Sequence, residues 1–245
     1  MTPTDSNHIL EMARAWYQSE IINSQIRKVQ ALSINSFNIN PFTAPYLSSF
    51  LTGTISADGI ARALVYARVL GTSLATTFGT NLQSFISSVL SNADGSVVEG
   101  IDIEFIDKID GRKKYAQLKA GPNTINSGDV DTIHNHFRKV RNLARTNRLE
   151  LGANDLVIGI LYGSTADINS SYCKLRDHHF YPVYIGSELW YRLTGDVHFY
   201  TKLIRTFAEI EAAAASVQLI ESKIQEIAQS EEVLYLVELA KQRSS

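Results

Sequence analysis

The sequence predicts an α/β (α+β) protein in which helices flank a central mixed β-sheet, and three observations carry that expectation. Runs of alternating apolar and polar residues lie on either side of Asp110-Gly111, a dipeptide that marks a tight hairpin between two antiparallel strands. The apolar run from Asp155 to Tyr162, closed by Gly163, suits a strand buried on both faces. Stretches with apolar residues recurring at three and four bracket these strands, so helices must cover the sheet.

Taken in order, residues 8–32 read as an amphipathic packing helix, with Ile9, Met12, Ala13, Trp16, Ile21 and Ile22 near helical spacing. Asn38, Asn40, Pro41 and Pro45 mark a connection in which Pro41 to Leu47 opens a short helix. Residues 59–71 and 81–90 give two helices, or one broken near Gly79. In the hairpin, Ile101, Ile103 and Phe105 share one face and Asp102 and Glu104 the other, while Ala116 and Leu118 oppose Gln117 and Lys119. A two-residue Asp110-Gly111 loop pairs positions that sum to 221, which sets Asp102 opposite Lys119 and Glu104 opposite Gln117. Asp129 or Asp131 then caps a helix running to about Asn147, which carries His134, Arg138, Arg141 and Arg145. Tyr181 to Gly186 forms another short strand with Pro182 at its start, Ser187 caps a helix ended by Gly195, and residues 199–242 are helical. The expected division is a helical region over 1–75 packed on the core, a core over 76–204 and a C-terminal helical region over 205–245, all within one compact domain.

Composition narrows the functional classes. The single Cys173 excludes an internal disulfide and a cysteine-built zinc site, and no apolar run of about 18 residues or secretory segment is present, so a cytoplasmic protein without membrane association is expected. The formal net charge is −2, yet residues 108–148 hold ten Lys and Arg against Asp110, Asp129 and Asp131. Such a concentrated positive field beside the hairpin suits a docked polyanion. Opposed side chains in a hairpin have Cβ atoms roughly 4.5–5.5 Å apart, so Asp102, Glu104, Gln117 and Lys119 are expected to share a patch able to surround one metal ion and one phosphate. The loop after Lys119, Ala120 to Asn126, adds small polar residues beside it.

Gly100-Ile101-Asp102 followed by Gln117-Leu118-Lys119 resembles the active-site hairpin of the PD-(D/E)xK nucleases, with Gln where Asp or Glu is usual. That QxK variant occurs among type II restriction endonucleases, and Val183 to Trp190, Leu193 to Asp196 and Phe199-Tyr200 resemble the C-terminal half of some of them. Together these motifs cover about residues 79–200. The resemblance implies a restriction-endonuclease-like fold and a Mg2+-dependent type II restriction endonuclease that cuts double-stranded DNA at a short specific sequence, leaving 5′-phosphate ends. It implies that Asp102 binds Mg2+ with the Leu118 backbone carbonyl and the Gln117 oxygen, and that Lys119 positions or deprotonates the attacking water; Glu104, opposite Gln117 in the expected register, could restore the charge missing there, either as a ligand of the metal or from beside it. Gln83 stands where family members often place a Glu facing the site, as an accessory residue. A homodimer matched to a palindromic site and a cognate DNA methyltransferase are the implied partners.

For DNA contact, Thr124 and Asn126 in the loop after the catalytic strand, and Lys174 and Arg176 beyond Asn169, are candidates for base or backbone recognition. Arg138, Lys139, Arg141 and Arg145 are candidates for holding phosphates. The other readings are a structure-specific repair or recombination nuclease and a non-catalytic DNA-binding module. The adjacent letters His134-Asn135-His136 carry no HNH-nuclease signal, and the pairs His134/His136 and His178/His179 lack zinc spacing, so surface roles are expected for them. No GK[ST] phosphate loop is present, and Cys173 has no partner base in the sequence.

Overall fold

The computed structural model describes residues 3–90, 93–148, 150–210 and 214–242. In chain order it contains α1 (Pro3–Trp16), a π-helical stretch (Tyr17–Ile22), α2 (Asn23–Gln30), α3 (Ala44–Thr52), α4 (Ala57–Tyr66), a second π-helical stretch (Ala67–Ser73), α5 (Leu74–Thr80) and α6 (Leu82–Val89). Strands β1 (Ala93–Gly95), β2 (Ile103–Ile106) and β3 (Lys113–Lys119) precede α7 (Ser127–Thr146), β4 (Leu156–Ile160), α8 (Ser170–Asp177) and β5 (Val183–Ile185). Helices α9 (Ser187–Thr194), α10 (Phe199–Ala208), α11 (Ala214–Ala228) and α12 (Glu231–Lys241) complete the chain, with residues 211–213 of the expected 199–242 helical region outside the described residues.

The chain divides into two compact units, one formed by Met1–Tyr17 and Phe78–Ile210, the other by Gln18–Thr77 and Glu211–Ser245. In the second unit the N- and C-terminal helical regions join each other: Ile60, Ala61 and Val65 of α4 are buried with Ile224 and Ile227 of α11 and Val233 of α12. Arg62 fixes that packing through two bonds to Glu221 at 2.8 and 2.9 Å and one to Asp58 at 2.7 Å.

The first unit contains the expected mixed sheet, in the order β1-β2-β3-β4-β5. The first three strands are antiparallel and β3, β4 and β5 are parallel, which requires α7 and α8 as crossovers. One face of the sheet carries Tyr115, Leu156, Ile158, Ile160, Val183 and Ile185 against Val130, Ile133, Phe137 and Val140, a period of three and four that makes one stripe of α7. The other face carries Ile103, Phe105 and Ala116, all essentially inaccessible. β4 is buried throughout, as its unbroken apolar run requires.

The hairpin differs from expectation in its register. Pairs Ile103↔Ala116, Glu104↔Tyr115, Phe105↔Lys114 and Ile106↔Lys113 sum to 219, two less than a two-residue loop dictates. The cause lies in side chains. Asp107 Oδ1 accepts from the Ile109 N–H at 2.8 Å and Asp110 Oδ1 from the Arg112 N–H at 2.9 Å, so two Asp turns build a four-residue loop closed by Asp107 N–H to Arg112 O at 3.0 Å. Gly111, at φ +70°, supplies the left-handed step at its end. A shift of two keeps every side chain on its expected face but moves Glu104 away from Gln117.

Two helix caps also differ. α7 starts earlier than expected because Asn126 Oδ1 caps the Gly128 and Asp129 N–H groups, with Asp129 bonding back to the Asn126 N–H at 2.7 Å. α9 begins after Gly186 at φ +51°, so Ser187 is its first residue rather than its cap.

Candidate active site

Strand parity places the site. In β3 the Tyr115 N–H donates to Asp155 O and the Lys119 O accepts from the Leu161 N–H, so odd residues bond toward β4 and even residues toward β2. Strand β2 begins at Ile103, and just before it the chain turns through Gly100. Leu118 therefore meets a side chain instead of a strand: its N–H donates to Asp102 Oδ2 at 2.6 Å. The same parity directs the Leu118 carbonyl to that edge. Gln117 and Lys119 lie on the α7 face, Gln117 buried and Lys119 half-buried. Although Gln117 is only 8% exposed, its Oε1 has no hydrogen-bond partner among the described residues. Its Nε2 lies 3.5 Å from His136 Nδ1 of α7.

Burial raises the Asp102 carboxyl above its ordinary range, while the Leu118 N–H and the nearby Lys119 pull it partly back. Glu104 is different. Although burial opposes it, the Lys113 ammonium at 2.6 Å and the Ser96 hydroxyl at 2.7 Å hold its carboxyl below the ordinary range. Among the described residues no three His, Cys, Asp or Glu side chains group together as a metal cluster, so the edge offers one carboxylate, one amide oxygen and one backbone carbonyl. An all-oxygen set of that kind suits a hard divalent cation.

A family model for the type II restriction endonuclease EcoO109I matches residues 17–214, well over half of the chain. The chain belongs to that family. No curated protein matches it. Membership in the EcoO109I family makes the protein a nuclease, a hydrolase acting on DNA, and agrees with the mixed sheet flanked by helices. No helix among the described residues is long and apolar enough to cross a membrane.

Within this restriction-endonuclease fold, the structure brings Asp102, Gln117, Leu118 and Lys119 together at one edge. It does not bring Glu104 or Gln83 there. Glu104 stands opposite Tyr115 and is bound to Lys113 and Ser96, because of the register described above. Gln83 is exposed and lies against Gly95, which pairs with Ile103 on the face of the sheet opposite Gln117. The side chains of Thr124 and Asn126 serve the loop itself: Thr124 Oγ1 donates to Gly121 O and touches the Tyr172 hydroxyl at 2.9 Å, and Asn126 caps α7. Lys174 and Arg176 lie exposed on α8, Arg176 held by two bonds to Asp177 at 2.7 and 3.0 Å.

The basic stretch is also less free than a charge count implies. Lys114 is fully buried between Asp110 at 2.7 Å and Asp155 at 3.1 Å, Arg112 pairs with Asp155, and Lys139 pairs with Glu99 at 2.8 Å. Arg138, Arg141 and Arg145 remain on the exposed side of α7, with Arg141 over the Tyr181 ring. Sequence reasoning missed His136, which was expected on the surface and instead touches Gln117 and Gly100. Its signal was positional, since it adjoins Phe137 and follows Ile133 by three residues, on the border of α7's apolar stripe.

Proposed function

We propose that the protein is a Mg2+-dependent type II restriction endonuclease of the PD-(D/E)xK superfamily with a QxK site, cutting double-stranded DNA at a short specific sequence and leaving 5′-phosphate ends. The observation that carries this reading is the buried, unpartnered Oε1 of Gln117, the residue next to Leu118, whose N–H holds the Asp102 carboxylate. A buried acceptor left unsatisfied is costly unless a ligand meets it, and a raised Asp102 carboxyl is one short of positive charge. Both deficits fit a divalent cation held by Asp102, the Gln117 oxygen and the Leu118 carbonyl. When bound, Mg2+ supplies polarisation of the scissile phosphodiester.

The chain's own groups do the rest. Lys119 positions the attacking water or, as the free amine, takes up its proton; as the ammonium it offsets the charge developing on the phosphate during in-line displacement. Asp102, fixed by the Leu118 N–H, keeps the acidic side of the site rigid. Arg138, Arg141 and Arg145 hold DNA phosphates, while Thr124 and Asn126 stay candidates for base contact by their position next to the catalytic strand. A homodimer would match a palindromic target, and the exposed Phe42, Tyr46 and Phe50 at α3 supply an apolar surface compatible with one. A cognate methyltransferase protecting the same sites follows from the cutting activity.

Incubating the protein with long DNA and Mg2+ tests the reading, with discrete bands expected. Lys119→Ala should lose cleavage by at least about 1000-fold while DNA binding changes little. Cleavage at the wild-type rate by that variant would remove Lys119 from the site.

A further inference from the structure

Gln117 raises a difficulty that a carboxylate at the same position does not. A carboxylate presents an oxygen whichever way it turns, whereas an amide has an oxygen at one end and two N–H donors at the other. Only the oxygen binds a cation. With Asp102 alongside, the amide's preferred orientation in isolation directs its NH2 group at the carboxylate, because hydrogen bonds to charged acceptors are the stronger ones. Something must hold the NH2 group elsewhere.

The group that meets the amide nitrogen is His136 Nδ1, 3.5 Å from Gln117 Nε2. The His136 ring is placed by close packing on the backbone: a Cβ built on Gly100 would lie 2.2 Å from its Cγ and 2.3 Å from its Nδ1. Gly100 itself sits at φ +80°, where glycine is favoured twice over, by conformation and by space. The loop that delivers Asp102 thus also seats the imidazole.

We propose that His136 is a positioning residue for the cation site: its Nδ1 accepts from the Gln117 NH2 group and so turns Oε1 toward Asp102 and the Leu118 edge. The inference rests on the cation-binding reading above and adds the device that makes Gln serve where an acid is usual. Without an acceptor at position 136 the amide turns over, donates to Asp102, and must be displaced before a cation can enter.

The test is a titration of Mn2+ into the full-length chain, followed by calorimetry, alongside the Mg2+ concentration that gives half-maximal plasmid cleavage. His136→Leu should weaken Mn2+ binding about 10- to 100-fold, the usual effect of losing a group that orients a ligand. His136→Asn, whose Oδ1 can replace Nδ1 as acceptor, should restore binding to within about threefold on the same basis. In a Gln117→Glu background His136→Leu should have little effect, since a carboxylate needs no orienting. If Asp102→Asn binds Mn2+ as the wild type does, or the wild type binds none, the cation site fails and this inference with it. If Asp102→Asn abolishes binding but His136→Leu weakens it equally with and without the Gln117→Glu change, or in neither case, His136 only packs and the positioning role is overturned. Should His136→Leu not fold, His136→Met provides the second side chain without an acceptor.

Discussion

Replacing Gly100 with alanine should damage the protein in a way that Gly111→Ala does not, although both residues occupy nearly the same backbone region, at φ +80° and +70°. An alanine forced into the left-handed region costs roughly 1–2 kcal/mol, and both variants incur it. Gly111 has nothing within 4 Å of its added Cβ, so its loss ends there. The new methyl at Gly100 meets His136 Cγ at 2.2 Å, Nδ1 at 2.3 Å and Cβ at 2.6 Å. Rotating the imidazole relieves the first two contacts but not the third, because His136 Cβ is fixed to the α7 backbone. Bringing that pair to ordinary contact needs about 0.8 Å of backbone movement, the difference between 3.4 and 2.6 Å. Overpacking of this kind adds about 2 kcal/mol, so Gly100→Ala should lose about 3 kcal/mol in all.

Urea unfolding followed by tryptophan fluorescence reads this directly, since both tryptophans, Trp16 and Trp190, belong to the unit that contains the sheet. The same displacement moves His136 Nδ1 away from Gln117, so Mn2+ affinity should fall in Gly100→Ala and stay near wild type in Gly111→Ala. Equal stability losses in the two variants would refute the reasoning, because the contact with His136 is all that separates them.

Two other outcomes follow from the electrostatics. The Arg112 guanidinium, with the Gly152 N–H and the Lys114 ammonium, holds the buried Asp155 carboxyl well below the ordinary carboxylate range. Its stabilisation is therefore complete above the unfolded value of about 3.9 and is lost as pH falls through the lower folded value. Asp155→Asn, which leaves Lys114 buried with Asp110 alone, should cost about 3 kcal/mol at pH 7, with the gap from wild type closing in strong acid. Melting temperatures measured across pH check this, and a gap that is undiminished at about pH 2 would count against it. Arg145→Gln should weaken DNA binding by a similar factor for all sequences and lower the slope of log affinity against log salt by about 1, as loss of one phosphate contact does. A sequence-dependent loss with an unchanged slope would instead make Arg145 a base reader.

What could be read in the chain, and what could not, follows the range of the forces involved. The hairpin, the buried β4 and the apolar stripe of α7 were legible because each depends on periodicity within about ten residues. The hairpin's register was not. Asp110-Gly111 reads as a two-residue loop until Asp107 and Asp110 each cap an N–H two residues on and lengthen it to four. The basic stretch misled for a related reason: Lys114 counts as surface charge in the sequence, while pairing to Phe105 on the face away from α7 buries it between two carboxylates. His136 was least visible of all, because its partners Gly100 and Gln117 lie 36 and 19 positions away and meet it only when α7 crosses the sheet. The register and His136 bear on one point in the site. The register removes Glu104 as a substitute for the acid missing at Gln117, and the pairing of Lys113 with Glu104 neutralises it as well. In the proposed cation site Gln117 would then serve as an oxygen ligand without a carboxylate's help, and for an amide that is a question of orientation, which the imidazole of His136 is placed to answer.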